Sequence, residues 1–213
     1  GKCYLSLHTH FSSANRGACI QNCRRDYIVT DKETGYELEI DNEYIMSAKD
    51  LCTIDFLDKI IDAGVEVLKI EGRGRSAEYV FTTTKCYKEA VQAITEGTYT
   101  QEKIQQWKNE LATVYNRGFW DGYYLGRTLG EWSNTSESLA TKHKIYIGKN
   151  INYFSKPKIA HFKLKAQSLE VGDEIIITGP TTGYVHATIT ELHVHDVPVT
   201  HAVKGDDVTF PLE

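Results

Sequence analysis

The stretch Val65-Glu66-Val67-Leu68-Lys69-Ile70-Glu71-Gly72-Arg73-Gly74-Arg75-Ser76 decides the reading of the fold. Its apolar first half reads as a buried-type strand, and its two glycines loosen the turn that follows. Ser76 then caps a helix expected to run to about Thr95 and to stop at Gly97. Upstream, Tyr44-Ile45-Met46-Ser47 reads as an apolar strand. Asp50 reads as the N-cap of a helix at about 51–63, with Ile54, Leu57, Ile60 and Ile61 on one stripe. Downstream, another helix is expected from about Thr100 to Tyr115. Strand, helix, strand, helix is the signature of parallel strands joined by helical crossovers. The expected class is α/β: the later half of a (β/α) TIM-like barrel, with the 69–76 turn at the mouth where such barrels place their sites.

Further out, Tyr27–Ile40 predicts a hairpin about Asp31–Gly35, because residues 36–40 alternate apolar and charged. Tyr4–Leu7 reads as a short strand or a helix end, and His8–Ser13 as a polar loop. Residues 116–141 read as an aromatic loop followed by a Ser/Thr/Asn-rich linker. After Thr141 the helical period stops. Short strands are expected at 145–148, 159–164, 174–177, 187–192 and 207–210, between tight turns at 171–173 and 178–183. These predict a small, closed or nearly closed antiparallel β-barrel. The expected organisation is residues 1–130, a partial (β/α) barrel; 131–143, a linker; and 144–213, the β-barrel.

A net charge of −5 excludes nucleic-acid binding by bulk charge, so any such role must come from a local patch. No apolar run approaches the roughly 18–20 residues that cross a bilayer, which predicts no membrane span. Five cysteines, an odd number, argue against a disulfide scaffold and for reduced thiols in a cytoplasmic protein. The chain starts on Gly1 without an initiator Met.

Residues 1–25 hold Cys3, Cys19 and Cys23 among Lys2, Arg16, Arg24 and Arg25, with His8 and His10 and no acid. Soft ligands in a positive patch suit an electron-rich cofactor or an anionic partner. From spacing alone, an iron–sulfur cluster, a zinc ion and ordinary thiols all remain open. Cys52 reads as a partly buried helix residue, and Cys86 as a core thiol. In the 69–76 turn, alternation puts Lys69, Glu71 and Arg73 on one side. With Arg75 and the helix start at Ser76 they form either an anion site or a salt-bridged rim. Glu71 and His10 are the candidate acid–base groups, and a solvated His10 is the bland alternative. The aromatics Phe119, Trp120, Tyr123 and Tyr124, beside Arg117 and Arg127, read either as a base-stacking platform or as a hydrophobic plug. His193-x-His195-Asp196 lacks a third ligand nearby. No G-x-S-x-G or H-E-x-x-H motif is present.

Three pieces in order carry a resemblance. They are Gly1-Lys2-Cys3, then Asn15-Arg16-Gly17-x-Cys19-x-Gln21-x-Cys23-Arg24, then Lys69-Ile70-Glu71-Gly72-Arg73-x-Arg75-Ser76-x-x-Tyr79-Val80. The chain resembles the collagenase-like peptidase family U32, and within it the bacterial transfer-RNA hydroxylation protein P group. That resemblance implies prephenate-dependent hydroxylation of the wobble uridine of tRNA to 5-hydroxyuridine. It implies a [4Fe-4S] cluster on Cys3, Cys19 and Cys23, with the fourth ligand upstream or Cys52. It implies that Arg24, Lys69, Arg73 and Arg75 bind the acidic co-substrate. It also implies a C-terminal domain similar to the second domain of translational GTPases. The chain would then be a C-terminal half, lacking a cysteine and a barrel segment that the family carries upstream. Half a barrel leaves strand edges unpaired, so tRNA and either the other barrel half or a second copy are the expected partners. A collagenase-like peptidase with Cys19 as nucleophile, and a non-catalytic interaction fragment, are the alternatives.

Overall fold

The computed structural model describes residues 3–40 and 44–213, so Lys2 of the positive patch lies outside the described residues. The chain divides into two compact units, Gly1–Lys142 and His143–Glu213.

The first unit opens with helix α1 (Tyr4–His10). Its N-cap is Cys3, whose Sγ accepts the Ser6 N–H at 3.5 Å. His8 and His10, expected in a loop, therefore ride on the last turn of a helix. Single 3-10 turns follow at Ala14–Arg16 and Asn22–Arg24. The expected hairpin forms from β1 (Val29–Thr30) and β2 (Glu37–Leu38), antiparallel. The Asp31 carboxylate closes it by accepting the N–H groups of Glu33 and Thr34 at 2.9 and 2.7 Å.

The next segment departs from the expected helix at 51–63. Asp50 and Leu51 form β3, and the helix α2 is only Leu57–Asp62, behind Phe56 with no side-chain cap. The Asp50 carboxylate is taken by distant groups instead of by its own helix, and Cys52 N–H bonds to the Trp120 carbonyl at 2.9 Å. Tyr44–Ser47, expected as a strand, holds a turn; one antiparallel bridge, Ala48 to Trp132, follows it. The strand expected at Val65–Ile70 is also not formed, and Val67 is 81% exposed. A lone extended segment has no ladder to satisfy its backbone groups.

Helices α3 (Ala77–Thr95) and α4 (Gln101–Ala112) match their sequence signals. The Ser76 side chain accepts Tyr79 N–H and the Thr100 side chain accepts Lys103 N–H, as N-caps do. Cys86, Ala90 and Ala93 of α3 are small and buried, which lets α4 bring in Ile104, Trp107 and Leu111 at helical spacing. Ile54 and Leu57 complete this core. Then β4 (Phe119–Trp120), read from sequence as an aromatic loop, pairs in parallel with β3. Residues 131–141, expected as linker, are tied to this unit: Leu139 and Thr141 N–H bond to the carbonyls of Asn116 and Ala112 at 2.8 and 2.9 Å.

The second unit is built from β5 (Gly148–Phe154), β6 (Ile159–Leu164), β7 (Leu169–Glu170), β8 (Glu174–Gly179), β9 (Gly183–Thr188), β10 (Leu192–Val194), β11 (Val197–Val199), β12 (His201–Ala202) and β13 (Asp207–Pro211). Five of these form one sheet in the order β11-β10-β13-β6-β5, and β8-β9 and β12-β7 form two pairs, all antiparallel. The core is Ala160, Leu164, Leu169, Leu192, Val208 and Phe210 with their neighbours. The first strand lies at 148–154, later than the expected 145–148. Gly148 sits so close to β6 that a Cβ there would lie 2.1 Å from the Lys163 carbonyl oxygen. His195 and Asp196 (φ 50 and 65) form the two-residue turn between β10 and β11, while His193 lies in β10 beside Glu191 at 3.3 Å.

The coarse class is therefore mixed α/β. Among the described residues the sheets do not close into a barrel, and β3–β4 is the one parallel pair.

Candidate functional site: an arginine cluster on one carboxylate

The strongest concentration of charge in the first unit is centred on Asp50. Its Oδ2 accepts the Arg117 backbone N–H at 2.9 Å. Its Oδ1 lies 3.7 Å from Arg75 Nη2 and 3.9 Å from Arg117 Nη1. These lengths exceed the 2.7–2.9 Å of a charge-assisted hydrogen bond, so the carboxylate neutralises the guanidinium groups without gripping them. Arg75 lies over the Tyr115 ring at 4.0 Å and the Tyr79 ring at 5.4 Å, and Arg117 over Tyr115 at 5.0 Å. A cation over an aromatic face keeps its edge N–H groups free for an in-plane partner.

Arg117 is buried, at 4% exposure. One of its Nη groups donates to Gln21 Oε1 at 2.9 Å, while its Nε is buried without a hydrogen-bond partner. Burial pushes its pKa down, the positive charges of Arg24 and Arg75 push the same way, and Asp50 and Tyr115 push back. Arg24 is anchored through Nη1 to Ser47 Oγ at 3.1 Å and to the Ala48 carbonyl at 2.6 Å. Two guanidinium groups, Arg75 and Arg117, thus share one carboxylate, with the Arg24 charge acting on Arg117, and a buried donor is left over. An added carboxylate or phosphate would supply the acceptors this arrangement lacks.

The structure joins the two motif stretches here. Gln21 and Arg24 come from the cysteine-rich loop and Arg75 from the 69–76 turn, and Arg73 Nη1 donates to the Ala14 carbonyl across the same junction. Glu71 accepts the Arg73 backbone N–H at 2.8 Å, so it closes its own turn. Lys69 and His10 are exposed. Gly72 is packed so that a Cβ would meet Val80 Cγ2 at 2.8 Å, which explains a glycine at that place. Asp50, Tyr115 and Arg117 are the members that sequence reasoning did not assign. Asp50 was taken for a helix cap and Arg117 for a neighbour of a stacking platform. Asp50 opens β3 and Arg117 precedes β4, so the cluster lies at the N-terminal end of the parallel pair, whereas barrel sites gather at C-terminal ends.

Cys3 Sγ accepts the Ser6 N–H at 3.5 Å and Cys19 Sγ the Gln21 N–H at 3.4 Å. No three His, Cys, Asp or Glu side chains come together as a metal-holding group among the described residues. Cys52 is buried in the core; burial pushes its thiol up, and Tyr87 O–H lies 3.9 Å from its sulfur. The hydrogen bond at Cys19 is to a backbone amide and involves no histidine.

An open groove of about 1100 Å³ runs along α3 and α4, lined by Val80, Phe81, Lys85, Glu89 and Trp107. Within it Lys85 pairs with Glu110 at 2.6 Å and Glu89 at 4.0 Å.

Fold and site together define a mixed α/β protein whose first unit concentrates arginines on one carboxylate and whose second is antiparallel β. The chain belongs to Peptidase family U32, whose model matches residues 1–134. It is 56% identical to a collagenase of Porphyromonas gingivalis, over 100% of this chain and 51% of that protein. It is 35% identical to an uncharacterized protease of Methanocaldococcus jannaschii, over 100% of this chain and 53% of that protein. It is 30% identical to tRNA hydroxylation protein P1 of Bacillus subtilis, over 84% of this chain and 43% of that protein. The likeness to the collagenase thus exceeds that to the hydroxylation protein, which refines the placing within the family drawn from motifs alone. The chain spans about half the length of the curated relatives it matches. Among the described residues, no helix is long and apolar enough to cross a membrane.

Proposed function

We propose that the whole protein is a cytoplasmic RNA-modifying enzyme that hydroxylates a nucleoside, with the wobble uridine of tRNA as the first candidate. The observation that carries this is the pair Arg75 and Arg117 on the single carboxylate of Asp50, with the Arg24 charge acting on Arg117 and the Arg117 Nε unpaired. Such a cluster suits a dicarboxylate co-substrate such as prephenate, held in the plane of a guanidinium by paired N–H groups. Arg75 and Arg117 bind and orient the anion, Tyr115 holds both cations in place, and Asp50 keeps them from repelling one another when the anion is absent. The similarity to a tRNA hydroxylation protein supports the RNA substrate. In this reading the first unit is the later part of a (β/α) barrel completed by the rest of the longer protein or by a second copy.

A second reading, peptidase action on collagen-like protein, is favoured by 56% identity along the entire chain to a protein named collagenase. Nucleoside mass spectrometry separates the two. In cells deleted for the full-length gene, 5-hydroxyuridine in tRNA should fall. It should return with the wild-type gene, and much less with Arg75→Ala or Arg117→Ala. An unchanged nucleoside profile, together with gelatin cleavage by the purified full-length protein, would replace the first reading with the second. Iron and sulfide analysis of anaerobically purified protein, with Cys19→Ala as control, tests the cluster.

A further inference from the structure

The second unit distributes its charge very unevenly. It has no arginine; of its lysines only Lys204 lies after residue 169, and every one of its acids does. From Ser138 to Leu169 there is no acid, and lysines alternate with Tyr146, Tyr153, Phe154 and Phe162. This basic, aromatic stretch folds into the β5–β6 hairpin, with β5 at the margin of the five-stranded sheet.

Register assigns the faces. Ala160 and Leu164 of β6 point into the core, at 1% and 2% exposure. The alternate positions Ile159, His161 and Lys163 therefore point outward. Their cross-strand partners on β5 are Phe154, Asn152 and Lys149, which share that outer face. The irregularity between Asn150 and Asn152 allows this: it shifts the alternation by one residue and turns Asn152 and Phe154 outward, the face that Lys149 already occupies. All residues of β5 after Gly148 are exposed, Phe154 at 45%. Lys163 is paired with Asp207 at 3.2 Å through a buried carboxylate oxygen, and Lys158 with Glu213 at 3.4 Å in an exposed, screened pair, so the unpaired cations of the hairpin are Lys149 and Lys156 among the described contacts. Lys149 and Lys156 are exposed on the same hairpin.

We propose that the outer face of the β5–β6 hairpin, centred on Phe154 with His161, Lys149 and Lys156, is a docking surface for single-stranded RNA. The aromatic ring offers a stacking surface that every base can use, and the flanking lysines track the phosphates. The complementary charge argues for this occupant: a hairpin whose own residues include lysines and no acid, bordered by Asp207 and Glu213, on a chain of net charge −5 suits a polyanion. The surface deepens the RNA-substrate reading above and rests on it for its purpose, but its test does not depend on catalysis.

The test is fluorescence anisotropy of a labelled single-stranded uridine oligonucleotide titrated with the full 213-residue chain at several salt concentrations. Phe154→Ala should weaken binding about tenfold. Lys149→Gln with Lys156→Gln should make the salt slope shallower by about 1.4. Circular dichroism of each variant should match wild type, because the three side chains are exposed. Equal affinity for duplex and single strand, or variants that bind as wild type does, would overturn the proposal. So would concentration-dependent self-association through the β5 edge without RNA binding. If the oligonucleotide binds through this face while the nucleoside profile of deleted cells is unchanged, the surface stands and the hydroxylase reading falls. If the nucleoside is lost but Phe154→Ala binds normally, the reverse holds.

Discussion

The Asp50 carboxylate lies within 4 Å of two guanidinium groups, Arg75 and Arg117, and accepts the Arg117 backbone N–H. Removing the charge with Asp50→Asn leaves Arg117, buried at 4% exposure, beside Arg24 and Arg75 with no counter-ion. The expected cost is about 1–3 kcal/mol, read as a lower urea midpoint, and added phosphate should recover part of it. An unshifted midpoint would mean that the carboxylate does not hold the cluster. The thiols give a second test. Cys19 is exposed, whereas Cys52 and Cys86 are buried. Alkylation of the native chain should reach Cys19 first and Cys52 and Cys86 only on unfolding, as peptide mass mapping would report. Burial raises Cys86 from its ordinary 9.0 to about 12, so folding favours its neutral form. That contribution is complete below pH 9 and is lost as pH climbs from 9 toward 12, so the urea midpoint should fall over that window. Arg24 and Arg75 were legible in the sequence because they sit in motifs. Asp50 and Tyr115 were not, because only the fold brings them near. One signal was present and unused: Asn116-Arg117-Gly118 repeats the Asn15-Arg16-Gly17 of the cysteine loop, and Gly17 and Gly118 both take positive φ.

At the level of elements, the parts read correctly were those whose signals are local. Ser76 and Thr100 cap their helices, and the buried positions of α3 and α4 recur at helical spacing. Residues 159–164 form the strand their apolar alternation predicts. The misread elements depended on partners far along the chain. Asp50 looks like a cap, but its backbone N–H goes to the Gly118 carbonyl at 2.8 Å and makes it a strand residue. Val65–Ile70 has strand composition and no ladder among the described residues. The hairpin β5–β6 hinges on Gly148, because any side chain there meets the Lys163 carbonyl at 2.1 Å. Gly148→Ala should therefore disrupt the start of this pairing. The β signal in circular dichroism should drop and amide exchange across 148–164 should accelerate. Retained protection there would show that the strand can shift to make room.

The molecule has two hydrophobic cores, one gathered by α2, α3 and α4 and one inside the antiparallel sheets. The boundary at Lys142 and His143 is exposed and lies just beyond the Thr141 tie to α4. Brief trypsin digestion should cut first at Lys142 or Lys144 and leave a resistant C-terminal piece, identifiable by its intact mass. Early cuts inside 148–213 instead would show that the second core does not hold by itself. The change in residue pattern after Thr141 lies beside the division between the two units. Barrel closure was not legible, because alternation reports which face a residue takes and says nothing of which strands meet.

The contacts that build the arginine site also fix when it forms. Arg117 meets Asp50 across 67 residues, Lys49 meets Glu131 across 82, and Gln21 meets Arg117 across 96. Helices α3 and α4 need only neighbours to fold, whereas each of these clasps must wait for a long loop to close. The site is thus a late arrival during folding. A chain emerging from the ribosome carries its arginines apart, as ordinary solvated charges, until residues 117–120 have followed the helices out and docked against Asp50.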